Sequence, residues 1–427
     1  MSTPRSEAPR PEASRSEASR SEAPPSVAPR SDAPRAAAPR AEALRPDASR
    51  AGTPHPADLL YSEAEEDLRA AVRALLDDRC PPSAVLAAAE AGRPYDAPLW
   101  DTLGRDIGAA GLLVPEKLGG QGATAREAAV VLEELGRSVA PLPYLTSAVL
   151  AVRTLLGCDP ETEEEVRGLL GPIAAGRATA ALAVPLSTAP GGAPRPTVRA
   201  DVDGRLTGRV TGVAGATGAS TLLVPADSGL YAVAPDAAGV RTTPVTSLDL
   251  TRPLATVDLD RAAARRLAPA DRAAAAVDRA LLTGAGLLAS EQLGLAEWCL
   301  AETVRHTRER HQFGRPVGSF QALKHRMAAL WLELVSARAV ARNAADALAT
   351  DSPDTPVAVA VAQAYCARVA VHAAEECVQL HGGIGMTWEH PAHLYLKRAK
   401  SAEIALGTPG RHRERLALLV DVPAPTS

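Results

Sequence analysis

The stretch Arg308-Glu-Arg-His-Gln-Phe-Gly-Arg-Pro-Val-Gly-Ser-Phe-Gln321 separates two long segments whose apolar residues recur with helical spacing. Gly314-Arg315-Pro316 cannot continue a helix, so the stretch predicts a loop between two helices. Ser352-Pro353 and Gly382-Gly383 mark two further breaks in the C-terminal region. Four helices joined by short turns are typical of a bundle, and the predicted helices span 266–310, 319–350, 354–381 and 391–421.

The region before this bundle changes character twice. From Leu59 the apolar residues recur every three or four positions, which predicts an all-helical N-terminal domain at 57–175. The following pattern of short β-leaning runs predicts a small middle β domain or barrel at 176–262, and the helical bundle takes 263–427. The fold class is therefore mainly α with a small β domain. Its predicted strands are 181–184, 197–200, 205–210, 221–224, 230–233 and 255–259.

Residues 1–56 form a repetitive segment of a different kind. Arginines and acidic residues recur there at five-residue intervals, and Pro or Ser fills most of the remainder. The only large aliphatic residues before Leu59 are Val27 and Leu44. Such a segment cannot bury enough apolar area to offset its ordering entropy, so we predict a disordered low-complexity tail. Its acidic residues argue against a transit peptide, and its role is not evident from the sequence.

The composition argues against several classes of function. The chain has 427 residues and a formal net charge of −4, which gives no reason to expect nucleic acid as a partner. By inspection no apolar run reaches transmembrane length and no signal segment opens the chain, so no membrane partner is expected. The five cysteines are scattered without metal-type spacing. We therefore predict no metal site, and reduced thiols in a cytoplasmic protein.

Two further motifs accompany the Arg308–Gln321 loop. Gln379-Leu-His-Gly-Gly-Ile-Gly385 follows the third bundle helix, and Gly111-Leu-Leu-Val-Pro-Glu-Lys-Leu-Gly-Gly-Gln-Gly122 lies in the N-terminal region. Together, over residues 60 to 420, they resemble the flavin-binding elements of the acyl-CoA dehydrogenase family. The order of helical domain, β domain and bundle is also that of this family. The motif from His381 to His390 resembles a divergent branch of it.

The resemblance implies that FAD is the cofactor. Arg310 carries a planar donor fork suited to a pyrophosphate, Phe313 offers an apolar face beside the adenine or ribose, and Gly314 allows a close backbone approach. His381 invites interpretation as a general base, but we favour a structural role at a helix end. The cofactor-binding residues that the resemblance implies are Arg310, Phe313, Gly314, Gln321, Gln379, Gly382, Gly383 and Thr408.

The resemblance also implies an oligomer. The loop from Arg310 to Gln321 is expected to act on the FAD of its own subunit, with Thr408 near the flavin end of the pyrophosphate. The Gln379 motif is expected to reach the adenosine part of an FAD that a neighbouring subunit holds. We therefore expect a homo- or hetero-oligomer, a dimer or tetramer, of chains with this fold.

The sequence departs from the family at the catalytic base. The family reaction removes an α-proton from an acyl-CoA, for which a carboxylate is needed. One usual base position is Leu406, just before Gly407-Thr408, and the other is Gly284, 29 residues before Phe313. Glu291 is a candidate substitute two turns along the same helix, and Glu403 is another, one turn before Leu406. For both, a solvated or salt-bridged glutamate is the favoured interpretation. The β domain departs as well, with Gly212 where the family has an aromatic residue.

Three hypotheses follow for the function. In the first, the chain is the base-lacking subunit of a hetero-oligomer that oxidises an acyl-CoA to its 2,3-enoyl-CoA, with FAD as hydride acceptor and an electron-transfer flavoprotein as electron acceptor. In the second, it is an autonomous flavoenzyme with a relocated base and a specialised acyl substrate. In the third, it is a non-catalytic protein that binds an acyl-CoA or a partner. The sequence does not identify the acyl chain.

Overall fold

The computed structural model describes residues 59–161, 163–192 and 196–421. The repetitive segment 1–56, with its predicted disorder, lies outside this part. The N-terminal region is helical, as expected, and begins at a capping box in which the Ser62 hydroxyl accepts the Glu65 N–H and the Glu65 carboxylate accepts the Ser62 N–H. Its helices are α1 (Glu63–Arg79), α2 (Pro82–Glu90), α3 (Ala97–Trp100), α4 (Ala125–Arg137), α5 (Val152–Leu156) and α6 (Glu164–Ala174).

Wider helical turns extend this region. One at Asp101–Asp106 continues α3 and one at Tyr144–Ala151 leads into α5. The first of these turns ends before Gly108, which takes a left-handed conformation with φ of 79°.

The middle region forms two four-stranded sheets. Their strand orders are β1-β4-β5-β8 and β2-β3-β7-β6, and the only parallel pair within them joins β1 to β4. Buried side chains of both sheets, including Leu206, Leu222 and Val257, form a core separate from that of the helices. The strands are β1 (Ala180–Leu182), β2 (Val198–Ala200), β3 (Leu206–Ala214), β4 (Thr221–Ala226), β5 (Gly229–Val233), β6 (Val240–Val245), β7 (Leu254–Ala262) and β8 (Arg265–Pro269).

Two of these strands were not predicted. β8 pairs antiparallel with β5, so the β region continues to Pro269 and the predicted boundary at 262 is wrong. β6 is an edge strand that pairs only with β7 and has no buried residue. Since it presents no buried face, its sequence shows no apolar alternation, and Pro244 within it weakens the strand signal further.

The C-terminal bundle is confirmed, with one change. Its helices are α7 (Ala270–Glu309), α8 (Gln321–Ala349), α9 (Thr355–His381), α10 (Ala392–Ile404) and α11 (Pro409–Leu419). The predicted fourth helix over 391–421 is therefore two helices. They are separated where Leu406 and Gly407 take φ of 55° and 102°, values that no helix allows.

The central helices of the bundle are apolar. By length and composition Ala270–Glu309 and Thr355–Met386 reach the range of a membrane span, which corrects the statement that no segment does so. In their most apolar windows 72% and 67% of the residues are buried inside the protein, as in core helices.

α7 packs against α4 so closely that glycine is required on both helices at the contact. A Cβ at Gly294 would lie 1.9 Å from the Glu133 carbonyl oxygen, and one at Gly136 2.1 Å from that of Glu291.

Candidate functional site

The loop after α7 is a tight hairpin. His311–Gln312 (β9) pairs with Arg315–Pro316 (β10), and the turn residues Phe313 and Gly314 both have positive φ, 55° and 73°. Two left-handed residues give a turn whose twist matches the paired strands. The Phe313 side chain at its tip is 90% exposed, so the ring is presented outward to solvent or to another molecule.

A cavity of about 760 Å³ opens beside this hairpin. We call it the arginine cavity because Arg310 and Arg326 both line it. Among the described residues no carboxylate pairs with the Arg310 guanidinium, whereas Glu376 binds Arg326 through two hydrogen bonds of 2.6 and 2.8 Å. Arg310 therefore offers the uncompensated charge. The other lining residues are His306, Val317, Leu323, Gln379, Leu380, His381, Gly382, Gly383 and Ile384.

The glycine pair gives this cavity an open backbone wall. Gly382 ends α9 with φ of 63° and ψ of −138°, a conformation that residues with a Cβ rarely adopt. A Cβ built at Gly382 or at Gly383 would meet no atom within 4 Å. A ligand can therefore approach the main chain closely at this turn.

The fold separates the predicted cofactor residues into groups. It brings Arg310, Gln379, Gly382 and Gly383 to the arginine cavity, although the motifs are far apart in sequence. Phe313 and Gly314 lie on the neighbouring hairpin and Gln321 begins α8, exposed. Thr408 lines a different cavity, of about 380 Å³, where it caps α11 beside Arg411 and Arg415.

A third cavity, of about 610 Å³, lies between the sheets and α10, and we call it the sheet–bundle cavity. It shares Ser187 and Ile404 with the cavity at Thr408. Gly212 lies on its wall, with φ of 68° and open space where a Cβ would point. Its remaining lining residues are Pro185, Leu186, Thr211, Thr246, Ser247, Leu248, Leu254, Lys400, Ser401, Glu403 and Ala405.

The two expected base positions converge in space. A Cβ at Gly284 would lie 3.1 Å from Leu406 Cδ1 and 2.5 Å from Leu150 Cδ2, so no side chain fits there without displacement. Leu406 is completely buried, its N–H donates to the Leu186 carbonyl at 2.7 Å, and its carbonyl lies 2.9 Å from His412 Nε2. We call Leu150, Gly284 and Leu406 the leucine cluster. It offers no group that accepts a proton.

Glu291 does not replace the missing base. Its carboxylate is buried between two arginines, with Arg252 Nη2 at 2.5 Å and Arg398 Nη1 at 3.1 Å. Burial raises the pKa of the Glu291 carboxyl, but the charges and hydrogen bonds of Arg252 and Arg398 outweigh it and hold this pKa below its usual range. A carboxylate so paired is a poor proton acceptor. We therefore reject Glu291 as a catalytic candidate and assign it to an ion cluster that joins α7, α10 and the segment before β7.

Glu403 has different surroundings. It lies on α10, is half-buried, and lines the sheet–bundle cavity together with Lys400 and Ser401. Among the described residues no ion pair is formed by its carboxylate, whereas Lys400 binds Glu375 at 2.9 Å. Of the two glutamates near the expected base positions, Glu403 is therefore better placed than Glu291 to accept a proton.

Sequence reasoning missed Arg326, Leu150 and Leu186. Arg326 reaches the arginine cavity from the second turn of α8, and nothing in its local pattern distinguishes it from a surface residue. Leu150 and Leu186 come from the helical turn before α5 and from the segment after β1. No sequence signal places these two beside Gly284 and Leu406, because the contacts depend on how three separate elements pack.

The donors of the arginine cavity fit FAD. An uncompensated guanidinium, a side-chain amide and open glycine backbone suit a dinucleotide with a charged pyrophosphate. Arg310 would take the pyrophosphate charge, while Gln379 and the Gly382–Gly383 turn would hold the polar edges of the nucleotide. Both motifs line one cavity of one chain. The expected division of these motifs between the FAD molecules of two subunits stays a prediction.

Helical domain, paired sheets, bundle and dinucleotide cavity together define the flavin-dependent dehydrogenase class. Models of two domain families match the chain, the acyl-CoA dehydrogenase N-terminal domain at residues 62–176 and the acyl-CoA dehydrogenase C-terminal domain at residues 273–418. The acyl-CoA dehydrogenase IpdE2 of Mycobacterium tuberculosis is 35% identical over 354 residues, which cover 83% of this chain and 96% of that protein. The chain belongs to the acyl-CoA dehydrogenase family, and its cofactor is FAD.

Solved structures agree with this assignment. A chain of the ChsE4-ChsE5 complex from Mycobacterium tuberculosis superimposes with a TM-score of 0.75 at 29% identity, covering 86% of this chain and 100% of that one. A chain of the Tcur3481-Tcur3483 steroid ACAD gives 0.73 at 29% identity, covering 84% and 98%. Each of these structures is named for two different proteins.

Proposed function

We propose that this chain is the base-lacking subunit of a hetero-oligomeric acyl-CoA dehydrogenase. The assembly would oxidise an acyl-CoA to its 2,3-enoyl-CoA and pass the electrons to an electron-transfer flavoprotein. Bound FAD supplies the hydride-accepting centre. This chain would hold one end of the cofactor, and a partner of the same fold would supply the carboxylate that removes the α-proton.

The observation that carries the proposal is the leucine cluster. Both family positions for the base are occupied by groups without proton affinity, and they pack against each other with Leu150. A Cβ at Gly284 would lie 2.5 Å from Leu150 Cδ2, so the Leu150 side chain must shift before a larger residue fits there. A chain with this packing and an open arginine cavity is suited to hold FAD but not to start the reaction alone.

An exposed face of α8 supports a partner chain. Trp331, Leu332 and Val335 are 57%, 62% and 40% exposed, and they lie within two turns of one another. Large apolar side chains grouped on a surface are typical of protein interfaces. The relatives in the ChsE4-ChsE5 complex and the Tcur3481-Tcur3483 steroid ACAD favour a partner of the same fold over an unrelated one.

Co-expression tests this proposal. The chain is purified alone and together with a homologue that carries glutamate at a base position, and flavin absorbance and size are measured. We expect little or no activity from the chain alone, and a yellow, active complex with the homologue. The acyl-CoA panel should include straight-chain and steroid-derived thioesters, the latter because of the steroid ACAD relative. A yellow protein that substrate bleaches without any partner would overturn the proposal.

A second candidate function is an autonomous enzyme whose base is Glu403. It is favoured by the half-buried Glu403 carboxylate on the wall of the sheet–bundle cavity. On this hypothesis Glu403→Gln abolishes turnover by the chain alone, while Glu375→Gln, on the same face of the bundle, leaves it nearly unchanged. If neither the chain alone nor its complex with the homologue turns over any thioester, but the protein still binds acyl-CoA, the non-catalytic hypothesis replaces the other two.

A further inference from the structure

Three histidines and one glutamate meet beside the arginine cavity. Glu302 and His306 lie one turn apart on α7, His381 ends α9, and His390 precedes α10. The His381 ring lies between those of His306 and His390, with centroid separations of 4.2 Å on both sides. The Nε2 atoms of His381 and His390 lie 3.8 and 3.6 Å from Glu302 Oε1. These separations are too long for good hydrogen bonds.

His381 Nε2 is the unsatisfied atom of this group. The His381 side chain is completely buried, and Nε2 has no hydrogen-bond partner among the described residues. Its other ring nitrogen, Nδ1, lies 2.6 Å from the Cys377 carbonyl oxygen and so carries the proton of the neutral ring. The lone pair is then on Nε2 and points at Glu302. Metal-ligating histidines commonly donate the N–H of their other ring nitrogen to a backbone carbonyl in this way. A lone pair that faces a carboxylate is unfavourable unless a cation or a proton lies between them.

We propose that Glu302, His381 and His390 bind one Zn²⁺ ion. One ligand atom from each residue lies within 4.8 Å of the other two. Zinc bonds of about 2.0–2.2 Å in tetrahedral geometry place ligand atoms roughly 3.3–3.5 Å apart, close to the 3.8 and 3.6 Å that separate the two histidine nitrogens from Glu302 Oε1. Two imidazoles and one carboxylate match the preference of zinc, with water as the fourth ligand.

Two existing contacts change when the ion binds. His390 Nδ1 accepts the Ala392 N–H at 3.2 Å, and coordination through Nε2 moves a proton to Nδ1 and ends this bond. The freed N–H belongs to the first turn of α10, where such groups have no partner within the helix and water can replace the acceptor. Arg305 binds both Glu302 oxygens from the solvent side, and a carboxylate oxygen has a second lone pair for the ion.

The site would tie three elements together at the cofactor cavity. His381 immediately precedes Gly382-Gly383, so an ion held by Glu302 fixes the glycine turn to α7. His390 adds the segment that leads into α10. A zinc ion here would define the shape of the arginine cavity without taking part in the family's redox reaction.

Zinc binding to the tag-free full chain tests the proposal. After dialysis against Zn²⁺ and then buffer, metal content and titration calorimetry should give one tightly held ion per chain, with micromolar affinity or better. Co²⁺ in its place should give the intense visible bands of tetrahedral coordination. The variants His381→Asn, His390→Asn and Glu302→Gln should each weaken zinc binding at least tenfold.

His372→Asn is the matched control. His372 also faces two carboxylates, with Nδ1 2.8 Å from Glu333 and Nε2 3.9 Å from Glu376, but it is half exposed and lies elsewhere on the bundle. We expect its substitution to change zinc affinity less than twofold. Absence of retained zinc, or equal losses in His372→Asn and the three site variants, overturns the proposal. Circular dichroism identifies any variant that fails to fold, and Glu302→Gln, the nearest in shape, then decides.

Discussion

The arginine cavity and the leucine cluster lie at two points along the same helix, α7, and they are built in opposite ways. At the arginine cavity the backbone of Gly382 and Gly383 faces open space, and no carboxylate in the described part of the chain pairs with Arg310. At the leucine cluster the glycine is needed because Leu150 and Leu406 leave no room for a side chain. Glycine marks a binding wall in one place and a packed core in the other.

This difference separates two roles that the family usually combines in one chain. Holding a cofactor requires open space and uncompensated donors, and these are present. Removing an α-proton requires an ionisable group beside the substrate, and the corresponding space is filled with hydrocarbon. The two regions can therefore be changed independently, and each of the following predictions breaks or sharpens the contrast.

Glu291→Gln should have the largest effect, on stability. It leaves Arg252 and Arg398 buried with less negative charge around them, which costs about 3–5 kcal/mol for a broken buried pair. The free energy of unfolding, measured in urea, should fall by that amount. Glu375→Gln, which removes an exposed pair with Lys400, should change it by less than about 1 kcal/mol. Equal small effects would show that the buried cluster does not stabilise the fold and would restore Glu291 as a candidate base.

The ion cluster around Glu291 also predicts how the stability of the chain changes with pH. The pKa of Glu291 is lowered in the folded chain, so its stabilisation is present above the ordinary glutamate pKa and is lost as pH falls through the folded value. The stability difference between the native chain and Glu291→Gln should therefore be constant near neutrality and shrink only in acid. A difference that shrinks between pH 6 and 8 would contradict this assignment.

Leu406→Glu should cost about 2–4 kcal/mol and give no activity to the isolated chain. The new carboxylate would be buried against the apolar Leu150 side chain, and burial of a charge among hydrocarbon is unfavourable. Leu406→Met, which keeps the volume, should cost less than about 1.5 kcal/mol. Turnover by Leu406→Glu alone would show that the leucine cluster is a substrate site lacking only its base, and that the packing is not decisive.

Arg310→Gln should weaken FAD binding by about 1.5–3 kcal/mol, roughly 10- to 100-fold, through loss of a charge-assisted contact. Flavin fluorescence titration of the apo-complex measures the affinity for FAD. Arg326→Gln should cost less, since Glu376 already engages the Arg326 charge. Because Arg310 is exposed, the urea midpoint of the apoprotein should not move. A larger loss of FAD affinity in Arg326→Gln than in Arg310→Gln would show that Arg326, and not Arg310, is the main contact to the cofactor.

The sequence predicts those features of the fold and the site that depend on residues close together in the chain. The helical domains, most strands and the Phe313–Gly314 turn follow from periodicity and from glycine and proline. The edge strand β6 does not, since it has no buried alternating face. The break at Leu406 was missed although Gly407-Thr408-Pro409 carries its signal, a glycine followed by an N-cap threonine and a proline in the first turn of α11. In the site, the motifs identify Arg310 and Gly382–Gly383. The cluster of Glu302, His381 and His390 has no sequence spacing that reveals it, because three separate elements bring it together.

The comparison is tested most directly by the same substitution in both regions. Gly284→Ala forces a Cβ to 2.5 Å from Leu150, and overpacking of about 1–3 kcal/mol exceeds the gain of roughly 1 kcal/mol in helix propensity. Gly383→Ala meets no atom within 4 Å and should change apoprotein stability by less than about 0.5 kcal/mol. It should instead weaken FAD binding, because the methyl group occupies the cavity wall. If Gly284→Ala unfolds at the same urea concentration as the native chain, the leucine cluster has room for a side chain, and the absence of a base there no longer follows from packing.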